Sequence, residues 1–308
     1  MSSTPHDSFF KDVFGPGKQH LPSLIPLIDR SLASRIDISS LEYLPGESIA
    51  EDLAHSTRSD LSASLLLSGA REDARIAFIF EHKSSLPHHI HIPLLSLVSA
   101  LLSRDLREGR KPCPVIPVVL YHGRAPWTLP MRLSEALELS PELAPRLPDF
   151  ELTLIDLSRF SDEALRERIA HPEPLVSLSV MKHIFESPES VLGHFVRLIK
   201  NLSPPRDILK RIVDTTLHYI SHAKRHHHPQ EIRTIFTTFL AEEKMTTVLD
   251  LLKEEGRQEA QDKDITRLLQ HTSLSPQEIA SILEVDLSRV LSLADSNSSV
   301  RNGKTPEK

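Results

Sequence analysis

The 308-residue sequence contains a single cysteine, Cys113, so no intrachain disulfide can form and a disulfide-stapled secreted scaffold is excluded. No apolar stretch follows a basic N-terminal segment in the manner of a secretory leader. No run reaches the ~18 to 20 continuous apolar residues of a membrane-spanning helix, the densest being the short stretch from Val115 to Tyr121. These absences set the expectation of a soluble cytoplasmic protein with no membrane partner. Also missing are a Gly-x-Ser-x-Gly elbow, a Walker phosphate loop, a His-Glu-x-x-His pair and a dinucleotide-binding glycine fingerprint, which removes support for the hydrolase, ATPase and dehydrogenase classes those motifs mark. Positive charge is not in excess either: 36 Lys plus Arg stand against 42 Asp plus Glu, a formal charge of −6. A nucleic-acid partner must therefore meet a local basic surface rather than the average field.

What is present is ordinary globular material. Apolar residues make up 39% and charged residues 25%, enough to bury a core, and the length suits one large domain or two smaller ones. Phe9, Phe10, Val13 and Phe14 fall at helical spacing between His6 and Phe14, and Gly15-Pro16-Gly17 ends that helix. Leu24, Leu27, Ile28 and Leu32 predict a second helix between Leu21 and Ile36. A sheet signal starts around Ile36 to Leu44. It becomes firm where Leu61, Ala63, Leu65 and Leu67 alternate with Asp60, Ser62 and Ser64, giving one apolar and one polar face. After a turn-rich link, Arg75 to Lys83 alternates again, so the two segments read as an antiparallel pair. Ile92 to Leu106 has helical period, Val115 to Tyr121 reads as a strand buried on both faces, and Leu152 to Leu157 as a further strand.

From about Ser161 onward the pattern is helical, with Pro204-Pro205 and Pro229 as breaks. Ser275 and Glu278 form a capping box before a short helix, and a second short helix carries Leu287, Val290 and Leu291. The expected organisation is an α/β domain over residues 1–160, a helical region over 161–271, a small helical hairpin over 272–295 and a disordered tail over 296–308.

The chemistry concentrates on Asp60, on one predicted strand, and on Glu81 and Lys83, on the next. Residues two apart on a strand share a face, so Glu81 and Lys83 emerge together, and antiparallel pairing brings Asp60 to them. Two carboxylates at one point repel, and a divalent cation with a preference for oxygen, magnesium or manganese, holds both ionised. A lysine beside that cation can orient or help deprotonate a water and stabilise extra negative charge in a phosphoryl transition state. The expected reaction is phosphodiester hydrolysis. The bland alternative is a solvated Glu and Lys at a strand end. A second Glu-x-Lys, Glu242-Glu243-Lys244, reads as a solvated helical face.

His6-Asp7 with Phe10-Lys11 and Phe14, Arg58-Ser59-Asp60-Leu61, Phe80-Glu81-His82-Lys83-Ser84, and Val115 to Gly123 with Trp127 occur in this order. The set resembles the recombination-promoting nuclease family, a transposase-like group of the PD-(D/E)XK nuclease superfamily. The resemblance is strongest from Thr4 to Pro130, and Leu251 to Arg257 is similar to that family's helical C-terminal segment. It implies a restriction-endonuclease-like mixed sheet flanked by helices, with Asp60, Glu81 and the backbone carbonyl of His82 as metal ligands, Lys83 as catalytic lysine, and DNA as substrate. Members of the group often carry Gln at the position of Lys83; the lysine here follows the wider superfamily and favours competence, because a cation stabilises developing negative charge more strongly than an amide. Asp7, Glu51 and Asp52 are the candidates for an additional acid. The competing class keeps the fold without turnover, as a catalytically inactive DNA-binding or oligomeric interaction protein.

Seventeen histidines invite a metal reading, above all His88-His89-Ile90-His91 and His226-His227-His228. Neither run has a second half at zinc-like spacing, so both read as solvated loops. Lys224 to His228 precedes Pro229 and suits a helix C-terminus as well as a phosphate contact. His122-Gly123 marks a turn after a strand, and Trp127 reads as packing. The Ser275 to Leu293 pair has helix-turn-helix size, but Arg289 is its one basic residue on the second helix, which favours packing or a homo-oligomer contact through the C-terminal helices.

Overall fold

The computed structural model describes residues 4–44, 47–48, 57–68 and 74–301. Its centre is a mixed five-stranded sheet. The strands are β1 (Ile36–Leu44), β2 (Leu61–Leu67), β3 (Arg75–Lys83), β4 (Val115–Tyr121) and β5 (Thr153–Asp156), hydrogen-bonded in that order. The first three are antiparallel neighbours; β3, β4 and β5 run parallel. A parallel neighbour cannot be reached by a hairpin, and the crossover from β3 to β4 is supplied by a helix, His91–Arg107. The chain is α/β, as its pattern of elements predicts.

Alternation assigns the two faces. Ile79 on β3 and Val119 and Tyr121 on β4 share a core with Leu94 and Leu97 of the crossover helix and with Trp127. The even-numbered residues of β3 point the other way, where helix α1 (Pro5–Phe14) lies and Phe10 stacks on the His82 ring at 5.3 Å. We label the crossover helix α2. Helix α1 starts on a capping box between Thr4 and Asp7 and buries Phe9, Phe10, Val13 and Phe14, the residues its spacing singles out.

One expectation changes, and one polar face lies deeper than alternation alone requires. Residues 21–36 do not form one helix: Asp29 is extended (φ −153°, ψ 121°) and its carboxylate accepts from Ser31 N and Leu32 N, which caps a new short helix, Arg30–Ala33, and breaks the run. The serine face of β2 is not solvated. Ser62 and Ser64 are buried, because β2 is an interior strand, and Ser62 pairs with Ser59 at 2.8 Å.

The remaining long helices are α3 (Asp162–Arg168), α4 (Pro172–His183), α5 (Pro188–Leu202), α6 (Arg206–Ala223), α7 (Pro229–Glu242), α8 (Thr246–His271), α9 (Pro276–Ile282) and α10 (Leu287–Arg301). Cα packing gives two compact units, Met1–Phe239 and Leu240–Lys308. Phe9 of α1 stacks on Tyr219 of α6 at 4.0 Å, one of the contacts that join the helices to the N-terminal element. The second unit has its own core of Ile265, Ile279, Ala280 and Val290. There Arg289 is tied to Asp262 (2.7 Å) and to the Gln258 carbonyl (2.8 Å), so the one basic side chain between Ser275 and Leu293 is already engaged. Helix α10 runs to Arg301, into the stretch expected to be tail. The second Glu-x-Lys lies where α7 ends, with Lys244 at φ 56°.

Candidate active site

The register Leu61↔Phe80 sets Asp60 opposite Glu81 at the carboxyl end of β3. Both carboxylates and the Lys83 ammonium meet there. Asp60 N donates to Glu81 Oε1 at 3.2 Å, Lys83 Nζ donates to Glu81 Oε2 at 2.8 Å, and Lys83 Nζ lies 4.0 Å from Asp60 Oδ2. Asp60 Oδ2 also accepts from His82 N at 2.9 Å, and Lys11 Nζ of α1 reaches Asp60 Oδ1 at 3.1 Å. The side chains of Asp60, Glu81 and Lys83 are 16%, 11% and 27% exposed, so the cluster is sheltered but open to a ligand from solvent.

Burial, reinforced by the Asp60 charge, pushes the Glu81 carboxyl above its ordinary value against the pull of Lys83. Burial alone would lower Lys83; the Glu81 and Asp60 carboxylates outweigh it and raise the ammonium, so Lys83 is a cation at neutral pH. The donor set is one that hard cations take. Each carboxylate oxygen has two lone-pair sites, and the N–H donors above leave some of them free. His82 N–H points to Asp60, and the N–H and C=O of one strand residue face the same edge, so the His82 carbonyl faces Asp60 too. Two carboxylates and a carbonyl fit magnesium or manganese.

Of the three candidates for an additional acid, Glu51 and Asp52 lie outside the described residues. Asp7 is directed to the other face of the sheet, where its Oδ1 lies 3.2 Å from His82 Nδ1. Burial raises the Asp7 carboxyl, and the bonds from His82 and Thr4 overcome this and hold it well below the carboxylate range. His82 Nε2 in turn lies 3.0 Å from His122 Nδ1. With Asp7 ionised, His82 Nδ1–H donates to it, His122 Nδ1–H donates to His82 Nε2, and His122 Nε2 is left as a buried lone pair with no hydrogen-bond partner among the described residues. Burial and the neighbouring His82 and His6 hold His122 far below its usual value; the same effects, with burial and His82 foremost, push His6 down to about 4. This Asp7–His82–His122 line, with both imidazoles buried, holds the backbone between Glu81 and Lys83 from behind.

Sequence reasoning missed Lys11 as the partner of Asp60, although its place one turn after Asp7 on an amphipathic helix facing the sheet was available as a signal. It also treated His122 as a turn marker, whereas the ring is 3% exposed and packs on His82 and Phe185. The His88–His91 and His226–His228 runs do not form metal-type clusters among the described residues.

No helix among the described residues is long and apolar enough to cross a membrane. No curated protein and no solved structure matches the chain. A family profile does: the one described as putative transposase, YhgA-like, aligns to residues 4–208, which spans α1, the whole sheet and the helices through α5, and leaves the Leu251–Arg257 stretch outside. On that match the chain belongs to the putative transposase, YhgA-like family.

Proposed function

We propose that the protein is a magnesium-dependent DNA endonuclease whose catalytic residues are Asp60, Glu81 and Lys83. The observation that carries this reading is their convergence: an ammonium 2.8 Å from one carboxylate and 4.0 Å from another, at the carboxyl end of a strand in a mixed sheet. Asp60, Glu81 and the His82 carbonyl would hold the cation. When bound, it supplies Lewis acidity toward a phosphate oxygen and lowers the pKa of a coordinated water. The protein's own contribution is positional. Lys83, fixed by Glu81, presents a positive charge where a scissile phosphate gains negative charge. Lys11, 46% exposed, is free at its solvent side to turn from Asp60 to an incoming phosphate. The family assignment supports DNA as the partner.

The test is nicking of supercoiled plasmid DNA with magnesium. Wild type is expected to nick, and Asp60→Asn and Lys83→Ala to lose at least ~100-fold in rate, the scale of removing one positioned electrostatic group. Variant rates equal to wild type would remove these roles.

A second reading rests on a specific contact. Each carboxylate already has an ammonium partner, Lys11 on Asp60 and Lys83 on Glu81, so the cluster is also a self-neutralised ion-pair network in a non-catalytic DNA-binding protein. Calorimetry separates the two: the nuclease reading expects magnesium binding that disappears in Glu81→Gln, whereas retained DNA association without such binding favours the network.

A further inference from the structure

Away from the sheet, three helical elements bring two imidazoles and two carboxylates together. Asp162 is the first residue of α3, His183 the last of α4, His194 lies in α5, and Glu186 sits on the link between α4 and α5. Asp162, His183 and His194 each offer a ligand atom, and these atoms lie within 4.8 Å of one another.

The hydrogen bonds around His183 define the site. Its Nδ1 lies 2.5 Å from Glu186 Oε1 and its Nε2 lies 3.2 Å from Asp162 Oδ1. A neutral imidazole has one N–H. In a neutral ring the shorter contact assigns Nδ1–H to Glu186 and leaves the Nε2 lone pair facing the Asp162 carboxylate. Two acceptors at that separation repel unless a proton or a metal ion lies between them. The 3.2 Å separation is also close to one edge of a zinc tetrahedron, about 3.3 Å for bonds of ~2.0 Å. A carboxylate on the far nitrogen is how metal-bound histidines are commonly oriented. The His194 ring stacks parallel to His183 at 4.1 Å and 11°, and its Nε2 lies 3.8 Å from Glu186 Oε2. The side chains of His194 and Glu186 are 34% and 41% exposed, which gives an ion a path in.

The geometry points to a zinc-type transition-metal site formed by Asp162, His183 and His194, with Glu186 orienting His183, that braces α3, α4 and α5 apart from the Asp60–Glu81 centre. Lys182 Nζ lies 2.6 Å from Asp162 Oδ1 and compensates that charge when no ion is bound. The two imidazole donors distinguish it from the all-oxygen set proposed for magnesium.

The experiment is zinc calorimetry on the full chain at pH 7.5, with cobalt absorption as a second readout. His194→Gln and Asp162→Asn should lose one zinc equivalent per chain and the tetrahedral cobalt bands, while Glu186→Gln should weaken binding about 10- to 100-fold. Glu81→Gln should leave that equivalent intact, and so should His171→Ala in the other His–carboxylate cluster, His20, His171 and Glu173. Circular dichroism of each variant confirms folding; because His194 is partly exposed, His194→Gln retains its structure. Unchanged zinc stoichiometry and cobalt spectrum in a folded His194→Gln chain would overturn the proposal. So would the absence of zinc binding in wild type, which would make His183 a doubly hydrogen-bonded imidazolium.

Discussion

Asp105 fastens β3, the strand that carries Glu81 and Lys83, to the link into β4. It lies on α2, is 5% exposed, and receives Arg75 Nη2 from the first residue of β3, Arg110 Nε at 3.2 Å and Nη2 at 3.1 Å, and Cys113 N at 3.1 Å from the link into β4. Replacing it by alanine leaves the Arg75 guanidinium, 17% exposed, without its carboxylate and strips the Cys113 amide of its acceptor. Removing one partner of a buried ion pair costs about 3 to 5 kcal/mol. Because Arg75 keeps some contact with water and Arg110 is more exposed still, the lower end applies, about 3 kcal/mol. Asp105→Asn keeps an acceptor for Cys113 and should cost less. The assay is urea unfolding followed through Trp127, the only tryptophan, which is 7% exposed in the core beside Tyr121. The pH dependence follows from the same bonds. Burial opposes ionisation of Asp105, but Arg75, the Cys113 amide and Arg110 prevail and hold its carboxyl at about 2, below 3.8 for a free aspartate. A depressed carboxyl contributes fully above its unfolded value and loses its contribution as pH falls toward its folded one. The stability gap between wild type and Asp105→Asn should therefore be constant above pH 4 and narrow between about 4 and about 2. A cost of less than about 1 kcal/mol for Asp105→Ala, typical of a surface pair, would refute the reasoning.

Gly123→Ala should cost about 1 to 3 kcal/mol in thermal or urea unfolding. Its Cβ would overlap the Tyr121 hydroxyl and come within 2.7 Å of Cε2, and that ring is 1% exposed and bonded to the Ala125 carbonyl. Asp7→Ala removes the α1 capping box and the acceptor for His82, so it should lower stability by about 2 kcal/mol. Calorimetry should still detect a magnesium site, weakened at most through the loosened His82 backbone, since Asp7 bonds His82 rather than the Asp60–Glu81 pair; a lost magnesium site would place Asp7 among the ligands. Lys11→Ala should weaken DNA binding and reduce its salt dependence while leaving magnesium binding in place, and an unaltered salt slope would count against a phosphate contact.

The sheet was legible because its strands obey a two-residue period or form a continuous apolar run between turn residues. The same period placed Glu81 and Lys83 on one face, and only the register Leu61↔Phe80 was needed to add Asp60. The second helix was misread for a local reason: Leu24, Leu27, Ile28 and Leu32 keep helical spacing across Asp29, but a capping carboxylate competes for the backbone N–H groups that a continuous helix needs. Burial of Ser62 and Ser64 depends on β2 being interior, a property of strand order that alternation does not encode. Histidine runs drew attention by adjacency, whereas Asp162, His183 and His194 meet only after three helices pack.

Crystals of the protein soaked in manganese, examined for anomalous scattering, provide the most direct trial of the Asp60–Glu81–Lys83 centre. A peak is expected between the two carboxylates, in contact with the His82 carbonyl and close to the ~2.1 Å bond length of small hard cations. Density confined to other positions, with Lys83 and Lys11 still seated on Glu81 and Asp60, would contradict it.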